Sequence, residues 1–179
     1  KSYQELDKYK EDIRNYGENI IKEATDKKMP IVVLAGRPYH VDPEINHGIP
    51  EMIQSYGIAI LSEDALYHLD CPEDSLDIVN QWSYHARLYH AASYVARHKE
   101  MTLIQFSSFG CGLDAITTGQ VREILEQHGD IYTMIKLDEV SNLGAARIRI
   151  RSLMAAWKYG FAQIDEVEPP KQRAYFSKE

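Results

Sequence analysis

The sequence has few cysteines and no long run of apolar residues. It holds only two cysteines among 179 residues, far apart, which excludes a disulfide framework and a zinc-type pair at short spacing. No apolar stretch approaches the roughly 20 residues that a membrane-spanning helix needs, and residues 1–4 lack the apolar core of a signal peptide. These absences predict a cytoplasmic protein that does not insert into a membrane.

The chain also lacks any cluster of positive charge. Its formal net charge is -7, and lysine and arginine form no run along the sequence. Binding to nucleic acid or to an anionic membrane surface would need clustered cations. The expected partners are therefore small molecules or other proteins.

What the sequence does contain is a regular alternation of apolar segments. Short, continuous apolar runs predict strands that are covered on both faces, at 31–35, 58–61, 102–106 and 132–136. Helical periodicity separates and follows them, near 47–56, 79–98, 117–128 and 142–160. This alternation predicts a parallel α/β sheet with strand order 2-1-3-4, in a three-layer sandwich of the flavodoxin or Rossmann type.

The two ends of the chain differ from this pattern. Apolar residues recur at helical spacing from 3 to about 27, which predicts one long amphipathic helix packed on the domain. After residue 162 the chain is acidic, proline-bearing and polar. The expected division is an N-terminal helix over 1–29, an α/β domain over 30–162, and a tail or truncated linker over 163–179.

Two glycine-marked loops follow strands one and three of the predicted sheet. With the order 2-1-3-4 these strands are neighbours, and the direction of winding reverses between them, where open α/β proteins bind ligands. The loop at 36–40 then brings Arg37, Tyr39 and His40 to one crevice with Cys111. Exposed turns without a ligand would have the same sequence pattern, so both interpretations stay open.

Cys111 lies between Gly110 and Gly112 directly after the third apolar run. Flanking glycines let a bulky group approach the main chain, as a cluster ligand or a reactive thiol requires. A small, inert, buried cysteine in a tight turn is the alternative. Cys71 follows the second strand and either reaches the same crevice or lies in an exposed turn.

Four segments carry a resemblance to a known family. They are VLAGRPYHVDP at 33–43, NQW at 80–82, FGCGLD at 109–114 and LGAARIR at 143–149. In these segments, between about residues 30 and 160, the chain resembles the large acyl-CoA dehydratase activase-related proteins. Those proteins look like fusions of an ATPase activator with domains similar to the 2-hydroxyacyl-CoA dehydratase subunits of anaerobic bacteria.

The resemblance implies a segment of a longer iron-sulfur redox protein. Cys111 matches the family's Phe-Gly-Cys-Gly cysteine and is implied as a ligand of a 4Fe-4S or related cluster; Cys71 is a weaker candidate. Two thiols do not complete a four-cysteine shell, so other domains of the same protein would supply the remaining ligands. An ATP-dependent activator domain and acyl-CoA are the other implied partners.

Within the crevice, Gly110 and Gly112 would frame the thiol, with Arg37, Tyr39 and His40 around it. The chain has no glycine-rich phosphate cradle, so ATP hydrolysis is expected elsewhere and the isolated segment is expected to be inactive. Two rival functions stay open: a non-catalytic scaffold or docking domain, and a metal-free CoA-binding module.

Overall fold

The protein folds around a four-stranded, all-parallel sheet with the order β2-β1-β3-β4. The structure is a computed structural model that describes residues 2–72, 74–108, 112–137 and 143–157. Its strands are β1 (Ile31–Ala35), β2 (Ala59–Ser62), β3 (Met101–Ser107) and β4 (Thr133–Lys136). The predicted α/β class, strand order and parallel direction are confirmed.

The central strands β1 and β3 are buried along their whole length, which explains why their sequences are continuous apolar runs rather than alternating ones. Successive side chains of β1 point to opposite faces of the sheet. Ile31, Val33 and Ala35 enter one core cluster, and Val32 and Leu34 enter the other.

Helices cover both faces, so the domain has three layers. The first core cluster receives side chains from α1 (Ser2–Asp26), α4 (Ser83–Val95) and α5 (Gly112–Gln127). The second receives them from α3 (Ile49–Gln54) and α6 (Leu143–Ala156). A four-residue helix, α2 (Pro43–Asn46), precedes α3. None of the helices in the described ranges is long and apolar enough to cross a membrane.

The long N-terminal helix predicted for residues 3–27 is confirmed, but only its second half packs closely on the domain. Gly17 and Ala24 are its buried residues. A Cβ atom at Gly17 would lie 2.8 Å from the Cβ of Ala65, so glycine allows this contact with the turn after β2. Near the helix start, Tyr3 is 83% exposed and Tyr9 is 59% exposed.

Helix boundaries differ from the predicted ones where local geometry decides them. The helix predicted from residue 79 begins at Ser83, because Trp82 has extended backbone angles and precedes the first turn. The helix predicted from residue 117 already begins at Gly112. Its glycine cap is confirmed: Gly129 has φ +81°, and the amide of Asp130 donates to the Leu125 carbonyl at 2.9 Å.

The helix predicted across the alternating arginines at 147–151 is also confirmed, since Ala146, Ile150 and Leu153 are buried at helical spacing. The predicted tail at 163–179 and residues 158–162 before it lie outside the described residues.

Candidate functional site at the carboxyl edge of the sheet

The loops after β1 and β3 begin side by side at the carboxyl edge of the sheet. Ala35 at the end of β1 is in register with Gln105 of β3. Gly36 and Arg37 follow β1 and lead into a short 3-10 turn, Pro38–Val41. The Arg37–His40 segment therefore lies near Ser108, the first residue after β3. Gly110 and Cys111, the other predicted site residues of that loop, lie outside the described residues, and Gly112 is the first residue of α5.

His40 connects the two loops. Its side chain is buried, with 2% exposed, and its Nδ1 accepts a hydrogen bond of 2.9 Å from the backbone N–H of Arg37. Its Nε2 lies 2.9 Å from the Oγ of Ser108, the residue after β3. Because a backbone N–H only donates, Nδ1 carries no proton, and in the neutral ring Nε2 donates to Ser108.

The ionisation of His40 fits this arrangement. The pKa of His40 is lowered to about 4: burial has the largest effect, the nearby Asp114 charge opposes it, and the Arg37 charge adds a smaller lowering. The ring is neutral at neutral pH, with both nitrogens engaged. His40 is therefore not placed to remove the Ser108 proton as a general base, and it acts as a connection between loops.

Gly36 is required for this placement of His40. A Cβ atom at position 36 would lie 2.3 Å from the Nδ1 of His40 and 3.3 Å from the Cβ of Phe106. Real Cβ atoms do not approach a buried ring so closely, so any side chain here would displace the ring from its hydrogen bonds. Gly36, predicted as a turn residue, is therefore needed because His40 packs closely against its backbone.

Arg37 forms the second connection. Its Nη2 lies 2.6 Å and its Nε 3.2 Å from the same carboxylate oxygen of Asp114. Asp114 lies in the first turn of α5, where negative charge is favoured by the helix dipole. Ser108, directly before positions 109–111, and Asp114, three residues after them, are thus each bonded to the β1 loop.

Tyr39 lies at the rim of the site. Its side chain is 41% exposed, and its ring meets the His40 ring edge to face with 4.6 Å between centroids. Tyr39 therefore covers one side of His40 and presents its other side to solvent.

Glu63 is a charged residue at this edge that sequence reasoning missed. It directly follows β2, has 4% exposed surface, and its Oε1 lies 2.9 Å from Nη2 of Arg87 on α4. Burial raises the pKa of Glu63 to about 7, against the opposing effect of Arg87. Its position directly after a strand was the sequence signal, because parallel strands end at the ligand-binding edge.

Cys71 does not lie at this edge. Its thiol interacts with Arg97, and Arg97 forms hydrogen bonds of 2.9 and 3.0 Å with Asp74. Arg97 follows the end of α4 and leads into the start of β3, which is at the amino edge of the sheet. Burial raises the pKa of the Cys71 thiol. Of the two interpretations left open for Cys71, the one in which it reaches the crevice is therefore wrong, because the loop after β2 runs back across the domain.

An iron-sulfur cluster takes mainly thiolate ligands, and the donors at this edge are of other kinds. Across the described ranges, no group of three or more histidine, cysteine or acidic side chains is arranged to hold a metal ion. The nitrogens of His40 are engaged, and the Asp114 carboxylate holds Arg37. The described residues thus do not fit a complete cluster. Four of them connect the β1 loop to the chain before and after positions 109–111 and are called the frame below: Arg37, His40, Ser108 and Asp114.

The fold and this edge define the class: a parallel α/β domain whose neighbouring β1 and β3 loops are bonded to each other where such proteins bind ligands. Residues 1–66 match the family described as the CoA enzyme activase uncharacterised domain (DUF2229). This match supports an acyl-CoA dehydratase activase-related protein. It includes α1, β1, the Arg37–His40 loop and β2 with Glu63. No curated protein and no solved structure matches the chain.

Proposed function

We propose that this chain is a cytoplasmic domain of an acyl-CoA dehydratase activase-related protein in which the β3–α5 loop brings Cys111 to a shared iron-sulfur site. The observation that carries the proposal is the pair of connections at that loop. Ser108 is bonded to His40 and Asp114 to Arg37, so the β1 loop holds the chain on both sides of positions 109–111. A ligand loop on a rigid frame keeps its geometry when an electron arrives.

The electrostatics of the frame support the same role. Cys111 directly precedes the first residue of α5 in sequence. The N-terminus of a 16-residue helix carries partial positive charge and free amide donors. Both lower the pKa of a nearby thiol and favour the thiolate that binds iron. The paired charges of Arg37 and Asp114 and the neutral His40 add little net charge, so their contribution is to position the loop.

The cluster, when bound, would supply one-electron transfer at low potential. With one thiol from this chain, the remaining ligands would come from other domains of the same protein, and an ATP-dependent activator would deliver the electrons. What this chain contributes is one ligand and the frame that orients it. The isolated chain would then have no redox activity.

The test is anaerobic reconstitution, with iron and sulfide, of the natural polypeptide that contains these residues. Cys111→Ser is expected to lower bound iron and sulfide and the visible charge-transfer absorbance. Cys71→Ser is the matched control, because that thiol lies at the opposite edge of the sheet, and it should leave both values unchanged. Equal iron content and spectra for wild type and Cys111→Ser would overturn the proposal.

A docking domain is the second candidate, and the exposed start of α1 favours it. Tyr3, Leu6 and Tyr9 expose 83%, 46% and 59% of their surface along one stripe of the helix, and such a stripe is typical of a contact surface. Capture of the remaining domains by this chain, lost in Leu6→Asp but unchanged in Cys111→Ser, would favour docking. Binding of acyl-CoA by the isolated chain without metal would instead favour a CoA-binding module.

A further inference from the structure

A groove of about 140 Å³ lies next to the candidate site, on the side where α4 and α5 pack together. Its walls come from the extended segment before α4 and from the first turns of both helices. The apolar lining residues are Ile78, Val79, Trp82, Tyr89, Leu113 and Ile116. No residue of the Arg37–His40 loop lines the groove. The groove and the candidate site have only the start of α5 in common.

The size and lining of the groove suit a small ring. A cavity of about 150 Å³ with apolar walls holds a benzene molecule. Val79, Trp82 and Ile116 at the groove expose 76%, 56% and 52% of their surface. Large apolar side chains exposed together around a concave surface are typical of a binding site.

One buried polar atom in the wall of the groove lacks a hydrogen-bond partner among the described residues. His85 lines the groove and is only 6% exposed, and its buried Nε2 has no hydrogen-bond partner within the described ranges. A buried polar atom without a partner is unfavourable, and a ligand that forms a hydrogen bond with it removes that penalty. Nearby, the Thr117 hydroxyl donates to the Leu113 carbonyl at 2.9 Å, so that wall group is already satisfied.

The charge around His85 restricts what binds there. Burial lowers the pKa of His85, the Arg37 charge lowers it further, and Asp114 opposes both. The imidazole is therefore neutral at neutral pH and offers one hydrogen bond but no charge. Because the site supplies no ionic partner, an uncharged ligand fits it better than an anion.

We propose that this groove binds a ring-sized apolar group that carries a single uncharged oxygen, and that the oxygen forms a hydrogen bond with Nε2 of His85. This proposal does not depend on the iron-sulfur cluster and needs no metal. It would hold a neutral, mainly apolar ligand or the apolar end of a larger one.

Phenol and toluene test the proposal, because they share a ring and differ in the hydroxyl group. Binding is followed by NMR through the indole N–H of Trp82, in a Trp157→Phe background that leaves Trp82 as the single tryptophan of the chain. Both ligands should shift this resonance, with phenol bound about fivefold more tightly, the factor that a typical net hydrogen bond of about 1 kcal/mol gives. His85→Leu should remove the phenol advantage and keep toluene binding.

A second pair of variants separates binding in the groove from general surface contact. Ile116→Phe places a ring in the groove at a half-exposed position and should abolish binding of both ligands while Trp82 stays the single tryptophan. Ile148→Phe is the matched control, since Ile148 is 68% exposed on α6, which packs on the other face of the sheet. The proposal is overturned if neither ligand shifts the Trp82 resonance, if phenol and toluene bind equally, or if Ile116→Phe binds like Ile148→Phe.

Discussion

The Nε2 atom of His40 lies 2.9 Å from the Oγ of Ser108 and joins the ends of the two central strands. The bond is buried, and Nδ1 of His40 also accepts a hydrogen bond from the backbone N–H of Arg37. A neutral, fully bonded histidine stabilises the relative position of two loops without adding charge. The contribution of His40 should therefore be visible in the free energy of unfolding.

His40→Gln should lower stability at pH 7 by about 1–3 kcal/mol, because a shorter amide leaves one of two buried partners unsatisfied. The variant should also change the pH dependence. The unfolded histidine binds a proton near pH 6.5, whereas the folded one does so only near pH 4. Stability from His40 is therefore complete above pH 6.5 and falls as the pH drops through this window.

Urea unfolding at several pH values between 4 and 7 measures this effect, and the slope assigned to His40 should disappear in His40→Gln. His47→Asn is the control, since it removes an exposed histidine at φ +56°, a backbone angle that asparagine tolerates. An unchanged pH slope in His40→Gln would contradict the neutral, buried ring.

Glu63 should act in the opposite direction. Its folded pKa is raised to about 7 from 4.5, so between these values the unfolded state loses its proton more readily than the folded state. The stability that Glu63 contributes is present at low pH and falls as the pH rises toward 7. One unit of pKa shift corresponds to about 1.4 kcal/mol.

Glu63→Gln should reduce this decrease in stability with rising pH. The opposite contribution of His40 should then be easier to see between pH 4.5 and 6.5. The double variant with His40→Gln should be nearly independent of pH across the same range, apart from the other carboxylates. The same urea titrations provide the measurement. An unchanged decrease toward pH 7 in Glu63→Gln would contradict the raised pKa of Glu63, because a carboxylate with the same pKa in both states adds no pH dependence.

Gly36 and Gly119 differ in the space around them, so alanine should have opposite effects at the two positions. Gly36→Ala places a Cβ 2.3 Å from the His40 ring, and it should destabilise the domain by about 1–3 kcal/mol, as overpacking does. A Cβ added at Gly119 on α5 would meet no atom within 4 Å. Gly119→Ala should therefore stabilise the helix by up to about 1 kcal/mol.

Thermal unfolding of the two variants measures both effects. His40→Ala in combination with Gly36→Ala provides the check, because removing the ring should remove most of the additional loss from the alanine at 36. If the two losses simply add, the close contact with His40 is not the cause.

The sequence carried the layout of the fold but not the bonds that hold the site. Continuous apolar runs identified β1 and β3 as central strands, and the strand order then placed the 36–40 loop next to the loop after β3. The hydrogen bond between His40 and Ser108 joins residues 68 positions apart in sequence. It depends on tertiary packing, which local sequence patterns do not predict.

Cys71 and Glu63 show how far strand order alone predicts the position of a residue. Both follow β2, and strand order alone places both at the carboxyl edge. The chain between β2 and α4 returns to the amino edge, where Asp74 pairs with Arg97 and His128. Only Glu63, adjacent to the strand, stays at the site, because the path of a long loop is set by such distant pairs.

Arg37 and Asp114 form a partly buried ion pair between the β1 loop and α5. Their side chains are 27% and 13% exposed, so solvent screens their attraction less than that of a surface pair. A double-mutant cycle with Arg37→Met and Asp114→Asn should give a coupling energy of about 1–2 kcal/mol. The cycle for Lys27 and Glu23, whose side chains are 59% and 64% exposed, is the control and should give no measurable coupling. Equal coupling in the two cycles would mean that Asp114 does not hold the β1 loop, and the frame around positions 109–111 would then depend on His40 and Ser108.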